Sequence, residues 1–309
     1  MTNGVRRIGF AYNPTIEAAL ELRERASGWA AMHGLDHWAT TAADYEVLAR
    51  ELPGTDVLVV LGGDGTFLRA ARAVAEVDVP LLGINVGKVG FLSKVEAGDL
   101  ARTLDRLSAG RYTLEHRMAL ESRILRASSA PSSEAASSEA ASGDVDGDEA
   151  GDVNAPANPD VHVALNDIVI ARGSLARVVR LDVSIDASHL ATFVADGLVV
   201  ASPTGSTGYS FSAGGPILDP TARNLVVTPI AGYLSTIRSV VVSGSVVVRC
   251  RIADAHEALV SIDGREDVAV DVGDTVEVRA LERPIRLVQP EGSMPFWDLV
   301  RRKVELLPS

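Results

Sequence analysis

"DVLVVLGGDGTFLRAARAVAE", residues 56–76, decides how this chain is read. Val57 to Leu61 is an unbroken apolar run of the length and composition of a strand buried on both faces. Gly62, Gly63, Asp64, Gly65 and Thr66 follow, and then a helical repeat begins at Phe67. A buried strand that turns straight into a helix is one step of an α/β unit, and its neighbours repeat the step. "RRIGFAY" (6–12) reads as a strand, and Asn13-Pro14 as a cap and first residue of a helix running from about 15 to 32. A second helix fits 42–52, "VPLLGIN" (79–85) is another strand, and "DLARTLDRLSAG" (99–110) is a helix ending in glycine. The alternation predicts a doubly wound sheet, with ligands taken at the carboxyl ends of its strands, where GGDGT stands.

From about residue 118 the pattern changes to Val/Ile/Thr-rich strands separated by turns, from "VHVALNDIVIARG" through "DTVEVRAL". This predicts an α/β domain over 1–117, an all-β sandwich over 118–290 and a helical tail over 291–309. "YTLEHRMALESRILRA" (112–127) is also strand-like and is grouped with the sandwich. Between its strands lies "ASSAPSSEAASSEAASGDVDGDEAGDVNAPANPD" (127–160), whose only large apolar residues are two valines. Such a segment buries too little surface to offset chain entropy, so it reads as a disordered insertion between neighbouring strands. Its "DVDGDE" resembles the opening of a calcium loop, but loop positions six and twelve hold Glu149 and Ala155 rather than glycine and glutamate.

Net charge is −12, yet eight of the 41 acids lie within 127–160, leaving 33 against 29 bases elsewhere. The folded part is therefore nearly neutral, which argues against a nucleic-acid partner. No apolar run spans a membrane, and the opening "MTNGVRRIGF" carries no signal-peptide core. The one cysteine, Cys250, leaves no internal disulfide, and these features predict a cytoplasmic protein without membrane contact.

Spacing removes the common site patterns. Gly63-Asp64-Gly65 leads to Leu68 where a dinucleotide fingerprint needs glycine, "GINVGKV" misses P-loop spacing, and "TGSTG" lacks the glycine of a nucleophile elbow. The six histidines show no metal-ligand spacing. Three polar, glycine-rich islands remain. GGDGT reads either as a tight turn with Asp64 as a helix cap or as backbone opened to a ligand. Asn166-Asp167 stands where a strand begins, which alone is consistent with a turn. "DGLVVASPTGSTGYSFSAGGP" (196–216) offers Asp196, the hydroxyls of "TGST", Tyr209 and Ser212 to a ribose, a phosphate or a base.

These islands, with "FLRAAR" and "GINVGKVGFL" between them, resemble the NAD kinase (ATP–NAD kinase) family, within the GGDGT group that includes diacylglycerol and sphingosine kinases. The resemblance covers nearly the whole chain except the insertion. It implies that Asp64 is the general base for the adenosine-ribose 2′-hydroxyl of NAD+, with Gly65 giving backbone access. It implies a phosphate and ATP loop of Gly62, Gly63, Gly65 and Thr66, and Arg69 as an NAD contact that helps hold phosphate. Asn166 and Asp167 would hold ribose, Asp196 the nicotinamide side, and Thr207, Gly208, Tyr209 and Ser212 the adenine, with Phe91 and Arg177 as further NAD contacts. ATP is the implied donor, with Mg2+ or another divalent cation carried on its phosphates and no metal ligand assigned to the protein. A homodimer or homotetramer is implied too, neighbouring subunits completing the NAD pocket.

Departures from the family pattern are Asp167 where many members have glutamate, Gly208 where alanine is usual, Val194 in place of an occasional basic residue, and "TPIAGYLSTIRSVV" (228–241) without the common Pro-His and Arg-Pro. Two rival readings are a kinase of the same fold acting on a lipid or sugar alcohol, and a non-catalytic dinucleotide-binding regulator. The polar, aromatic 196–212 segment argues against the lipid acceptor and Asp64 against the regulator.

Overall fold

The computed structural model describes residues 4–87, 90–127, 160–173, 177–233 and 237–305. Its first part alternates β1 (Arg7–Tyr12), α1 (Glu17–Met32), β2 (Asp36–Thr41), α2 (Tyr45–Glu51), β3 (Val57–Leu61), α3 (Asp64–Val74), β4 (Leu81–Asn85), a two-residue β5 (Val95–Glu96), α4 (Leu100–Ser108) and β6 (Tyr112–Arg117). Strands β2-β1-β3-β4 pair in parallel in that order. Every residue of β3 and β4 is buried because helices cover both faces. Val57, Val59 and Leu61 pack with α1 and α4 residues, while Leu58 and Val60 pack with α2 and α3 residues.

One strand was not read from the sequence, and one local expectation is corrected. "DHWATT" forms the edge strand β2, although its alternation of polar and small residues carries no apolar run to announce it. Asn13 is not the cap of α1, which begins at Glu17 after Ile16. The Asn13 side chain instead accepts from the Thr15 backbone and hydroxyl at 3.0 and 2.9 Å, closing a turn ahead of the helix.

The second part comprises β7 (Leu120–Leu125), β8 (Asp160–Ala164), β9 (Asp167–Arg172), β10 (Val179–Ile185), β11 (Ser188–Ala195), β12 (Gly197–Ala201), a one-turn α5 (Tyr209–Ser212), β13 (Asn224–Ile230), β14 (Val240–Ser243), β15 (Val248–Asp254), β16 (Ala258–Ile262), β17 (Glu266–Val270) and β18 (Thr275–Ala280). They form two antiparallel sheets, β11-β10-β15-β18-β7-β8 and β14-β13-β12-β9-β16-β17, which share one apolar core. β7 and β8 pair directly, Leu120 opposite Ala164, so the acidic segment joins neighbouring strands. The reading of 127–160 as disordered falls, apart from its ends, outside the described residues.

The chain then returns to the first sheet. β19 (Ile285–Pro290) pairs in parallel with β4 and antiparallel with β6, extending the order to β2-β1-β3-β4-β19-β6. Residues 285–290, placed above in the 118–290 sandwich, therefore lie in the α/β sheet, and so do 112–117, inside the 1–117 bound although their stretch was grouped with the sandwich. Their alternating pattern marks them as strands but carries no information about which sheet edge they cover. The closing helix α6 (Phe296–Glu305) follows. No helix among the described residues is long and apolar enough to cross a membrane.

Register fixes the site. Asp167 opens β9 opposite Ala201 at the end of β12, and Ile168 lies opposite Ile262 at the end of β16. The segments at Asn166, Ser202 and Asp263 thus emerge together at one end of the sandwich, and contacts from that end reach the carboxyl edge of the parallel sheet.

Candidate active site

The turn after β3 is shaped for Asp64. The Gly62 N–H donates to the Ile84 carbonyl at 3.0 Å, and a Cβ at Gly62 would fall 2.5 Å from Thr66 Oγ1, so this position excludes a side chain. Gly63 is the cap: extended, with its carbonyl accepting from the Thr66 and Phe67 amides at 2.9 and 3.1 Å. Asp64 is the first residue of α3, where a negative charge suits the helix dipole. Its Oδ2 accepts from the Phe91 amide at 2.8 Å, and its Oδ1 from the Leu92 and Ser93 amides at 3.1 Å each. A Cβ at Gly90 would sit 1.9 Å from Oδ1, so that loop approaches only because residue 90 is glycine. A carboxylate has about four acceptor positions, and the three amides leave about one for a ligand.

Asn166 and Asp167 meet the long glycine-rich loop. The Asn166 carbonyl accepts from the Ser202 amide at 2.8 Å, and a Cβ at Gly205 would lie 2.1 Å from the same oxygen. The Ser202 hydroxyl donates to the Leu165 carbonyl. Residues 205–207 form a single 3-10 turn, in which the Thr207 hydroxyl donates to the Thr204 carbonyl at 3.2 Å. Tyr209, at the start of α5, is 48% exposed and its ring is open to a partner. Ser212 is exposed at the end of the same turn. Gly208 is not demanded by space: a Cβ there would meet only the Gly205 carbonyl at 3.3 Å and an Asp167 oxygen at 3.8 Å.

Three residues that the sequence reading did not single out tie these pieces together. Asp263, at φ 51° in the turn between β16 and β17, accepts from the Leu165 amide at 2.9 Å, from Asn166 at 2.7 Å and from Asp167 at 3.1 Å. It fixes the Asn-Asp pair. Arg265 leaves the same turn and crosses to α3, where its Nη2 comes within 2.0 Å of where a Cβ at Gly65 would stand. Arg117, only 1% exposed at the end of β6, binds the Glu115 carboxylate and donates to Thr204 Oγ1 at 3.2 Å. The "DG" at 263–264 marks a hairpin turn in sequence, but a turn signal does not reveal that its carboxylate caps a distant segment.

Other expected residues stand apart. Asp196 pairs with Arg172 Nε at 2.8 Å at the opposite end of β12 and β9. The five residues of β12 put it ~17 Å from the Asn166 end. Arg177 is exposed on the approach to β10, whose first residue, Val179, lies opposite Ala195, next to Asp196. Phe91 lies beside Asp64, with its ring centroid 6.1 Å from that of Phe296 and 4.8 Å from Lys303 Nζ. Arg69 is half-buried on α3 next to Arg265.

Residues 8–112 match the family model "ATP-NAD kinase N-terminal domain", and residues 165–290 match "ATP-NAD kinase C-terminal domain". The chain is 38% identical over 264 residues to an NAD kinase of Moorella thermoacetica, covering 85% of this chain and 74% of the relative. It is 40% identical over 250 residues to an NAD kinase of Symbiobacterium thermophilum, covering 81% and 78%.

The chain belongs to the ATP–NAD kinase family.

Its reaction is accordingly ATP-dependent phosphorylation of NAD. The fold agrees with solved structures. The yeast NADH kinase complexed with NADH superposes at a TM-score of 0.78, with 24% identity and coverage of 99% and 88%. The Archaeoglobus fulgidus NAD kinase in complex with ATP gives 0.72, with 22% identity and coverage of 98% and 100%.

In this ATP–NAD kinase chain a cavity of about 720 Å³ stands away from Asp64. It opens beside Lys94, Glu115, Gln289 and Phe296, under the loop that follows β19. Around Asn166 the chain is instead held close by backbone contacts, the Ser202 amide and Gly205 both packing on the Asn166 carbonyl.

Asp167 carries an unusual charge state. Burial, with the Asp263 carboxylate beside it, pushes its pKa from 3.8 up to about 7. Asp263 is also raised by burial, opposed by its three amide donors. Between pH 3.8 and about 7 the folded chain keeps a proton on Asp167 that the unfolded chain has released, so this group makes stability fall as pH rises across that window and adds no further slope above it. Replacing Asp167 by Asn is expected to flatten that slope. Denaturant midpoints of wild type and Asp167→Asn should converge at pH 4 and separate by pH 8 with the variant more stable; parallel curves would exclude the raised pKa.

Proposed function

We propose that Asp64 accepts the proton of the adenosine-ribose 2′-hydroxyl of NAD+ as that oxygen attacks the γ-phosphorus of ATP and ADP departs. The observation that supports this reading is the single acceptor position left on a carboxylate pinned by three amides, at the strand end where the phosphate loop begins. Gly62, Gly63, Gly65 and Thr66 line that loop, Asn166 and Asp167 hold the ribose, and Thr207, Gly208, Tyr209 and Ser212 face the adenine, with Phe91 closing the cleft. Phosphoryl transfer asks mainly for alignment and charge neutralisation, which suits a site of backbone and small polar groups. Formation of NADP+ from NAD+, ATP and Mg2+, read by an NADP-specific dehydrogenase, tests the reaction; an acceptor other than NAD+ would return the choice to the lipid or sugar-alcohol reading.

Among the described residues no group of three or more His, Cys, Asp or Glu side chains could hold a metal. The residues fit a divalent cation that arrives on the donor's phosphates, with Asp64 the carboxylate nearest the loop. Bound there, Mg2+ would neutralise phosphate charge and keep much of its water. The single, buried Cys250 and the absence of a long apolar helix among the described residues favour a cytoplasmic enzyme.

Asp196 supports a homo-oligomer. At ~17 Å from the Asn166 end it is out of reach of its own cradle, so its expected nicotinamide contact is to dinucleotide on a second subunit. Arg177 belongs to the same surface. Mixing Asp64→Asn with Asp196→Asn chains, each inactive alone, should then restore about a quarter of wild-type activity in a randomly mixed dimer, because half the dimers are hybrid and one of their two sites is intact. Activity that stays at the level of the separate variants would place Asp196 in its own subunit's site.

A further inference from the structure

We propose that the cavity bounded by β6, Lys94 and the turn from β19 to α6 is a second ligand site. It takes a small organic anion, a phosphate or carboxylate carried on a flat apolar body, and its filling steadies the loop that clasps Asp64.

The cavity has fixed walls. Strands β6 and β19 form one of them, with Tyr112 opposite Pro290 and Thr113 opposite Gln289. The turn after β19 is held by its own bonds. The Ser293 amide and hydroxyl donate to the Pro290 carbonyl at 3.0 and 2.7 Å, the Glu291 amide donates to the Arg111 carbonyl at 3.2 Å, and the Arg106 guanidinium donates to the Glu291 carbonyl. Lys94 and Phe296, at the start of α6, complete the lining. At about 720 Å³ the space matches the sites that hold small ligands, about 300–1,000 Å³.

Its charge selects an anion. Lys94 and Arg111 both line it, and among the described residues neither side chain makes a hydrogen bond or an ion pair. Of the two acids on the wall, Glu115 is taken by the buried Arg117, and Glu291 is exposed to solvent. Burial lowers the Lys94 pKa from the ordinary lysine value; Glu115 opposes this and Arg117 adds to it. A cation half withdrawn from water without a counter-ion of its own gains from a ligand that brings one. Tyr112 and Phe296 offer aromatic surface to a flat group, and the Gln289 amide can orient it.

The chain itself links this site to Asp64. Lys94 directly follows Phe91, Leu92 and Ser93, whose three amides donate to the Asp64 carboxylate. Ser93 is fully buried, and the Phe296 ring centroid lies 6.1 Å from that of Phe91. An anion bound to Lys94 with its body against Phe296 therefore restrains the clasp at both Lys94 and Phe91. A consequence for turnover rests on the reading of Asp64 above, whereas binding and backbone motion do not.

Pyridoxine 5′-phosphate, a phosphate on a flat ring, is the probe. Calorimetry should show it binding wild type at one site, with affinity lowered about tenfold or more in Lys94→Met and in Arg111→Gln, the size of one lost charged hydrogen bond. Pyridoxine, which lacks the phosphate, and inorganic phosphate, which lacks the ring, should each bind at least about tenfold more weakly. Saturating NAD+ or ATP should leave the probe's affinity within about twofold, and KM for either substrate in the two variants should stay within about twofold of wild type. At about ten times its Kd the probe should slow hydrogen exchange at the Phe91, Leu92 and Ser93 amides about tenfold, because an opening that breaks the site must also release the ligand. Absence of binding, or an affinity unchanged in both variants, overturns the site. Displacement of the probe by NAD+ or ATP assigns it to the nucleotide cleft and overturns the site as well. Inorganic phosphate binding as tightly as the probe overturns the flat body, and binding with unchanged exchange at 91–93 overturns the link to the clasp. Failure of the Asp64 reading looks different: Asp64→Asn would retain turnover, with every binding result above unaltered.

Discussion

Asp64→Asn should lower kcat by about 10²–10⁴-fold while leaving NAD+ binding close to that of wild type, because a general base of this kind contributes about that much. The geometry gives the loss two sources. An amide side chain cannot accept the hydroxyl proton. Its –NH2 would also confront the amides of Phe91, Leu92 or Ser93, which now donate to a carboxylate. The dinucleotide cradle proposed above lies elsewhere, at Asn166, Asp167 and the loop after Ser202, so NAD+ affinity should persist. Turnover by a coupled dehydrogenase and NAD+ binding by calorimetry separate the two. Turnover within about threefold of wild type would remove Asp64 from the proton transfer. Parallel loss of both would mean that the carboxylate chiefly holds the 90–93 loop.

The largest expected change in stability is at Arg117. Its side chain is buried between the edge of the α/β sheet and the loop before the 205–207 turn, joined to Glu115 on one side and to the Thr204 hydroxyl on the other. Glu115 raises the stability of the charged form and burial opposes it. Arg117→Met should cost about 3 kcal/mol, the lower end for breaking a buried pair, because Glu115 is partly exposed and can recover some water. Arg117→Met combined with Glu115→Gln should recover much of that loss, since no unpaired charge then remains. Denaturant unfolding of the three proteins checks both statements. If the double variant is no more stable than Arg117→Met alone, the cost lies in packing rather than in the stranded carboxylate.

Much of the fold was legible in the chain. The run Val57–Leu61 is buried at every residue, as an apolar strand between two helical layers must be, and the switch to alternating Val/Ile segments after residue 118 announced the sandwich. The three glycine-rich islands were legible for a local reason. At Gly62, Gly90 and Gly205 a Cβ would collide with Thr66, Asp64 and the Asn166 carbonyl, so the close approaches leave a mark in composition. Edge strands left weaker marks. β2 has no apolar run, and β19 has one that fits either domain.

What the sequence by itself determined is which segments are strands and helices, where backbone comes within reach of a ligand, and the family resemblance these stretches carry, because periodicity and the size of a side chain are properties of single positions. Tertiary structure alone decided that Asp64 is clasped by the loop after β4, that Asp263 caps Asn166 and Asp167, and that Arg265 and Arg117 bridge the domains. It also set Asp196 at the far end of β12. These are pairings across ~27 to 200 residues of chain, fixed by strand register and sheet order, and an isolated Asp or Arg in a sequence carries no trace of the partner it will meet.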